Sequence, residues 1–439
     1  MRNERFIMLK KGKKQNRKTW LLALLFVIGS SFTAAAASSD NAMDVSIIGD
    51  FYFLNRNIID EKIKDARILN YMEYKNTGGV NARGFNLRYG EIAAGGSTRA
   101  GFSFYGDAVL TPEGARIEEL YFKYAIMDGL FVKAGRFLTT FGNSNTKHYH
   151  KKPFFDQALF YWALYGNQGL LENGVGIFWK AIIGVELTIG FEVLEGKNEL
   201  TYGTEQFGSN NQKIGSTTMP NLLNGFINAK IPMGNLKINF GFYAQRGGSR
   251  INNDLQSNSG SAIHGMTMAM IGSLSVKYYF DSYRFISIGG EFMFRNTSGD
   301  YFEGISQVTY AASYDRTNSG YYGQILGKPI PWILCGVRFG GITGEETIGS
   351  IIASGEEGDS VLKTERTTPG TPEYFRISAM SQLIINNYFR VRLQYNFDQA
   401  QSQINDAGEQ IFYPKLVEHT VILQAEFSYG TFEKFSYSQ

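Results

Sequence analysis

The sequence predicts an all-β fold, a transmembrane antiparallel β-barrel of about sixteen strands, and three observations predict it. Apolar and polar residues alternate strictly in stretch after stretch: Leu236, Ile238, Phe240, Phe242 and Ala244 interleave with Lys237, Asn239, Tyr243 and Gln245. Phe389, Val391, Leu393, Tyr395 and Phe397 likewise interleave with Arg390, Arg392, Gln394 and Asn396. A period of two means strands with one oily and one wet face. The chain also opens with a leader, basic from Arg2 to Lys18, apolar from Leu21 to Ile28 and small-residued through Ala37. Finally, 50 glycines, 34 phenylalanines and 26 tyrosines against 9 prolines suit a twisted sheet with aromatic girdles.

The leader has the order of a secretory signal peptide, with cleavage expected near Ala36 or Ala37. No cysteine stands just after the cleavage region, so no lipoprotein anchor is expected, and no later apolar run approaches the roughly 18 residues of a spanning helix. Residues 1–37 are therefore read as signal peptide and 38–439 as one barrel in the cell outer membrane. Only Ser38 to Met43 precede the first strand, so neither a folded plug nor an energised receptor is expected.

The chain holds 43 basic and 40 acidic side chains, a net +3; 8 of the former and 1 of the latter lie in residues 1–37, so the remainder carries −4. A basic nucleic-acid binder is excluded on that balance. The single cysteine, Cys335, excludes an internal disulfide and any cysteine-cluster metal site.

The first strand is expected over Asp44 to Asn55 and the last over Val417 to Tyr429, an even count placing both ends in the periplasm. Between them, short breaks fall at Gly95 to Thr98, Met127 to Gly129, Ile182 to Gly184, Pro232 to Asn235, Asp281 to Tyr283 and Asn386-Asn387. They suit hairpin turns on the periplasmic side. Long breaks, expected outside the cell, fall at Arg56 to Arg83, Thr139 to Glu172, Lys197 to Asn221, Gly247 to His264, Thr297 to Lys328, Gly349 to Pro372 and Gln399 to Lys415. The break at Thr111 to Ala115 is short but occupies a long-loop slot. Reaching sixteen requires two strands within Ile330 to Ile348, turning at Gly340-Gly341; fourteen and eighteen strands are the alternatives.

The wet face places Glu91, Glu119, Lys123, Lys133, Glu186, Glu192, Lys237, Lys277, Glu291, Arg295, Arg390, Arg392 and Glu426 along the lumen. Both signs occur, as on a wetted wall; opposed Arg390/Arg392 and glutamate clusters would add a transverse field. The densest signal runs from Gly135 to Asp156 and includes Lys147, His148, His150, Lys151 and Lys152, with half of the four histidines in the chain. With Phe154, Phe155, Phe160, Tyr161 and Trp162 it is too aromatic for a solvated loop, so the Thr139 to Glu172 segment is expected to fold inward as a pore constriction, its basic run facing permeating ions. In an extended chain His148 and His150 project to one side and, with Asp156, form a candidate zinc-type metal set. The simpler alternative is a pair of imidazoles anchoring the loop by hydrogen bonds.

Gly135, Phe137, Phe141, Gly142, Asn145, His148, His150, Phe155 and Asp156, then Gly169-Leu170, Glu172, Gly174 and Trp179, resemble the signature of a family of bacterial outer-membrane porin-like proteins. Phe85 to Glu91, Glu118 to Tyr121 and Val185 to Thr188 fit it too, so the resemblance covers Phe85 to Gly196. The family is related to phosphate-selective porins, and some members are known as zinc-regulated outer-membrane receptors. It carries proline where Ala158 stands, and its zinc-regulated branch ends in a Gly-Pro-His-x-x-His-Lys-Phe tail, whereas Gly430 here is followed by Thr431-Phe432-Glu433-Lys434-Phe435. The resemblance therefore implies a barrel and a channel more strongly than zinc specificity.

No nucleophile elbow, phosphate-binding Gly-Lys loop or His-Glu-x-x-His helix occurs, so no enzyme and no catalytic residue is expected. The expectation is a porin-like channel for passive diffusion of small hydrophilic solutes or ions, in contact with outer-membrane lipid and open to homo-oligomerisation. The alternatives are a substrate-specific channel or receptor for a metal ion or complex, and a structural or adhesive surface barrel.

Overall fold

The computed structural model describes residues 43–57, 83–112, 114–166, 168–198, 200–204, 207–208, 213–214, 219–253, 261–305, 308–355, 358–368, 373–401, 403–406, 409–412 and 416–430. The leader expected over residues 1–37 and the tail after Gly430 lie outside the described residues.

Sixteen antiparallel strands close on themselves. In chain order they are β1 (Met43–Arg56), β2 (Gly84–Ser97), β3 (Phe102–Thr111), β4 (Gly114–Met127), β5 (Leu130–Leu138), β6 (Leu171–Ile182), β7 (Glu186–Leu194) and β8 (Leu222–Met233). They continue with β9 (Leu236–Asn253), β10 (Ser261–Tyr279), β11 (Phe285–Ile305), β12 (Val308–Ile330), β13 (Ile333–Ile348), β14 (Glu373–Ile384), β15 (Phe389–Gln401) and β16 (Leu416–Gly430). Each strand pairs with the next, and β16 returns to β1 in the register Ser46↔Gly430 through Arg56↔Thr420. Shorter ladders, such as Ile351–Gly355 with Gly358–Lys363, lie at the long-loop end.

Burial is inverted relative to a water-soluble sheet protein. Phe240, Phe242 and Leu393 are 50%, 44% and 52% exposed, while Arg390, Arg392 and Gln394 are 1% exposed. The apolar face points out of the barrel and the polar face in, the arrangement lipid imposes. Phe102, Tyr124, Trp179, Phe280, Trp332 and Tyr388 are exposed near the short-turn end, where an aromatic girdle meets the membrane interface.

Sixteen is the expected count, but two strands are threaded differently. β13 runs unbroken through Gly340-Gly341, and the turn lies earlier, at Pro331-Trp332. The two glycines face Tyr322 and Tyr321 across the β12–β13 ladder. A Cβ on Gly340 would stand 2.8 Å from the Tyr321 carbonyl oxygen, so the pair signals close strand approach, not reversal. The expected loop over Thr297 to Lys328 is instead the upper part of β11 and nearly all of β12, 21 and 23 residues long. Spanning takes about 9 to 11 residues. The remainder of these strands rises beyond the apolar belt, where the outward residues Ser298, Asp300, Ser313 and Asp315 are polar and exposed while Tyr301, Ala312 and Tyr314 pack inward, so the apolar-out, polar-in order of a spanning strand is lost.

Arginine at Phe240 should cost about 2–4 kcal/mol of folding stability through its placement in lipid. A cysteine at 239 should react with a membrane-impermeant reagent entering the lumen, and one at 240 should stay protected; the opposite pattern would reverse the register.

Candidate functional site

Between β5 and β6 the chain turns into the barrel, and the wall captures it along its length. The segment's own base is closed by Asn145, whose amide donates to the carbonyls of Thr139 (2.9 Å) and Leu170 (3.0 Å) and accepts the Leu170 N–H (2.8 Å). Gly169, at φ +73°, lies so close that a Cβ would stand 2.3 Å from the Asn145 Oδ1. Gly142, at φ +85°, leaves the space in which the Tyr161 hydroxyl sits. That hydroxyl donates to Glu291 on β11 (2.8 Å), which also accepts the Asn143 N–H. Glu192 on β7 accepts from the Thr140 N–H (3.1 Å) and hydroxyl (2.8 Å).

The short helix α1 (Leu159–Tyr165) follows Ala158, whose φ of −61° is one that proline shares. Phe160, Tyr161, Leu164 and Tyr165 from this region bury against Phe178, Phe226, Tyr243, Met293 and Ile342 of the wall. An aromatic core thus packs the segment against this part of the wall.

The tip of the segment is held from the opposite wall. Phe154 enters a niche of Phe285, Leu334 and Met380, while the next residue, Phe155, enters one of Tyr52, Leu54 and Ile422. Arg88 lies 4.1 Å over the Tyr149 ring and 4.2 Å over that of Phe155, and donates to the Phe155 carbonyl (2.9 Å). Asp156 is the centre of a knot: Arg338 on β13 and Arg376 on β14 each donate to its carboxylate, joined by Gln394 (3.0 Å) and Asn396 (3.0 Å) of β15. Burial opposes ionisation of Asp156, but the two guanidinium groups outweigh it and hold its pKa at about 2.

The expected metal set is therefore divided. His148 and His150 lie side by side, ring centroids 5.5 Å apart, about the 3-10 turn Tyr149–Lys151, but Asp156 belongs to the arginine knot. Their neighbours are carboxylates on β2 to β4. His148 Nε2 is 2.7 Å from Glu119 and its Nδ1 3.5 Å from Asp107, and His150 Nδ1 is 3.5 Å from Glu91. Burial disfavours a charge on His148, but the Glu119 hydrogen bond and the three carboxylates outweigh it and raise its pKa to about 9.

The basic run is divided too. Lys147 and Lys151 are exposed to the lumen, but Lys152 is buried, with its ammonium 5.0 Å over the Tyr149 ring and its carbonyl held by Arg392 (3.1 Å). Burial, reinforced by Arg88 and Lys147, lowers the Lys152 pKa to about 7. Arg390 and Arg392 face inward as expected but are covered by the segment: Arg390 pairs with Glu426 and donates to the His150 carbonyl, and Arg392 is bound by Gln382 and Gln424. They hold the segment in place and do not line open water. Lys133 lies 3.7 Å over the Phe137 ring, Lys123 5.2 Å over Tyr121 and Lys237 5.1 Å over Tyr279. Beside the segment remains a cavity of about 320 Å³ lined by charges of both signs, including Arg56, Arg88, Lys147, Glu118 and Glu418.

Asp107, Arg338 and Arg376 were not singled out from sequence, and Arg88, Gln394 and Asn396 were given no role at the segment. Their position between outward-facing neighbours was legible; what they grip was not.

No family model matches the chain. It is 32% identical over 295 residues to an uncharacterised protein of Aquifex aeolicus (strain VF5), covering 65% of this chain and 61% of that protein, so the match spans about three fifths of the relative's length. Among solved structures it is similar to OmpT, an outer-membrane protein of Vibrio cholerae in its trimer form, at 9% identity and TM-score 0.50, over 89% of this chain and 100% of that one. The outer-membrane channel DcaP of Acinetobacter baumannii superposes at TM-score 0.46 and 9% identity, over 89% of this chain and 97% of that one. At 9% identity the OmpT likeness is one of fold, a closed transmembrane barrel.

Asp156→Asn should leave Arg338 and Arg376 underpaired and cost about 3–5 kcal/mol. Because the folded pKa is depressed, the carboxylate's contribution is fully present above the ordinary 3.8 and is lost as pH falls through about 2. Trp162 fluorescence should report loosening of the segment across that acid window in the native protein, with a much flatter response in the variant.

Proposed function

We propose that the protein is an outer-membrane, porin-like channel through which small hydrophilic solutes or ions diffuse down their gradients, with residues 139–172 forming its constriction. The observation that carries this reading is a polar, charge-lined interior inside an apolar belt; the wall contacts of Thr140 and Asp156 support residues 139–172 as the constriction. The remaining cavity of about 320 Å³ corresponds to about ten water volumes, room for small ions or small polar solutes. Residues 1–37 serve as the signal peptide that delivers the chain, the apolar belt meets outer-membrane lipid, and homo-oligomers suit such a barrel. A channel of this kind has no chemistry to perform and needs no energy source.

Charges of both signs line the passage, so selectivity follows from those that remain open to water. Lys147 and Lys151 are the exposed cations of the segment. The purified protein should give stepwise conductance in a planar bilayer, and Lys147→Glu with Lys151→Glu should move the reversal potential toward cation preference. Bilayers that stay sealed would overturn the channel, and an unchanged reversal potential would remove these lysines from its path.

A further inference from the structure

Glu91 on β2, Asp107 on β3 and His148 on the inserted segment each place a donor atom within 4.8 Å of the other two. Asp107 sits where β3 slips against β4 between Gly106 and Ala108, and the Glu119 N–H donates to its Oδ1. Its Oδ2 faces His148 Nδ1 at 3.5 Å. Two donors about 2.1 Å from one ion in a tetrahedral shell stand about 3.4 Å apart.

The other nitrogen of the same ring is already engaged. His148 Nε2 is 2.7 Å from Glu119 Oε2, and Glu119 Oε1 is fixed by the Leu138 N–H at 2.6 Å. A carboxylate on the far nitrogen orients a ligating imidazole and turns its remaining nitrogen toward the ion. His150 stands beside the group with Nδ1 3.5 Å from Glu91 Oε2. Glu91, Asp107, Glu119, His148 and His150 are all buried, and three buried carboxylates near two imidazoles favour a compensating cation.

We propose that Glu91, Asp107 and His148 bind a divalent transition-metal ion of the zinc or cobalt class, with Glu119 as the positioning residue and His150 adjacent to the shell. Mixed imidazole and carboxylate donors suit that class better than soft monovalent copper. The ion joins the inserted segment to β2 and β3 and so staples one side of the constriction. The site stands on barrel geometry and does not depend on the channel reading.

The test is titration of the chelator-stripped, folded barrel with cobalt(II), read by its visible absorption, and with zinc(II), read by calorimetry. One saturable equivalent is expected, insensitive to equimolar magnesium. Asp107→Asn and His148→Gln should each weaken it by about 10-fold or more, and Glu119→Gln by about 10–100-fold. His148→Gln lies outside the strands, so it keeps the test independent of barrel folding. Absence of saturable binding in the native protein, or an isotherm unchanged in His148→Gln, overturns the proposal and leaves a protonated His148 bridging Asp107 and Glu119.

Discussion

Closure of the sheet by β16 on β1 is the constraint from which the rest follows. In lipid an unpaired backbone group has no water to turn to, so an open edge costs several kcal/mol per group. With every strand flanked on both sides, the two faces of the sheet become an outside and an inside. The period-two pattern then sorts the chain, phenylalanine and leucine to the hydrocarbon, arginine, glutamate and glutamine to the lumen. The interior arginines are buried only because a second layer of chain covers them.

That second layer brings the backbone problem inside. A segment leaving the strands between Leu138 and Leu171 carries amides with few partners of its own, and each buried one left unmet costs about 1–3 kcal/mol. The wall meets them by charge type. Carboxylates take the N–H groups: Glu119 that of Leu138, Glu192 that of Thr140, Glu291 that of Asn143, and Glu172 those of Gly196, Lys197 and Asn198 in the neighbouring loop. Guanidinium groups take the carbonyls: Arg88 that of Phe155, Arg338 that of Asp156, Arg390 that of His150 and Arg392 that of Lys152. The mixed signs along the lumen are thus in large part a set of partners for one inserted segment, and only the remainder faces solute.

The tip of that segment rests between two electrostatic environments. On one side Asp156 sits among Arg338 and Arg376; on the other His148 and His150 sit among Glu91, Asp107 and Glu119. An anion of the segment meets cations of the wall, and imidazoles of the segment meet carboxylates of the wall. This complementarity fixes both the position and the direction of the tip, with Phe154 and Phe155 anchored in opposite niches between them.

The sequence by itself determined the barrel and the face on which its lumenal charges lie, because in lipid a side chain's direction is dictated by local alternation, while its count of sixteen was reached with β12 and β13 threaded wrongly. It also marked the segment that folds inward, since five large aromatics have no solvated alternative. Alternation failed where its cause did: above the apolar belt in β9 to β12 the outward face is polar and the inward face packs residues such as Tyr301 and Tyr314, and at Gly340-Gly341 glycines that admit Tyr321 and Tyr322 resemble a turn. Tertiary structure decided which charges meet. Asp156 stands six residues from His150 in the chain yet is drawn to β13 and β14, and Asp107 reaches His148 through a slip in strand register. Such contacts depend on the shear of a closed sheet and on where a crossing segment lands, which are properties of the whole barrel and not of any stretch of sequence.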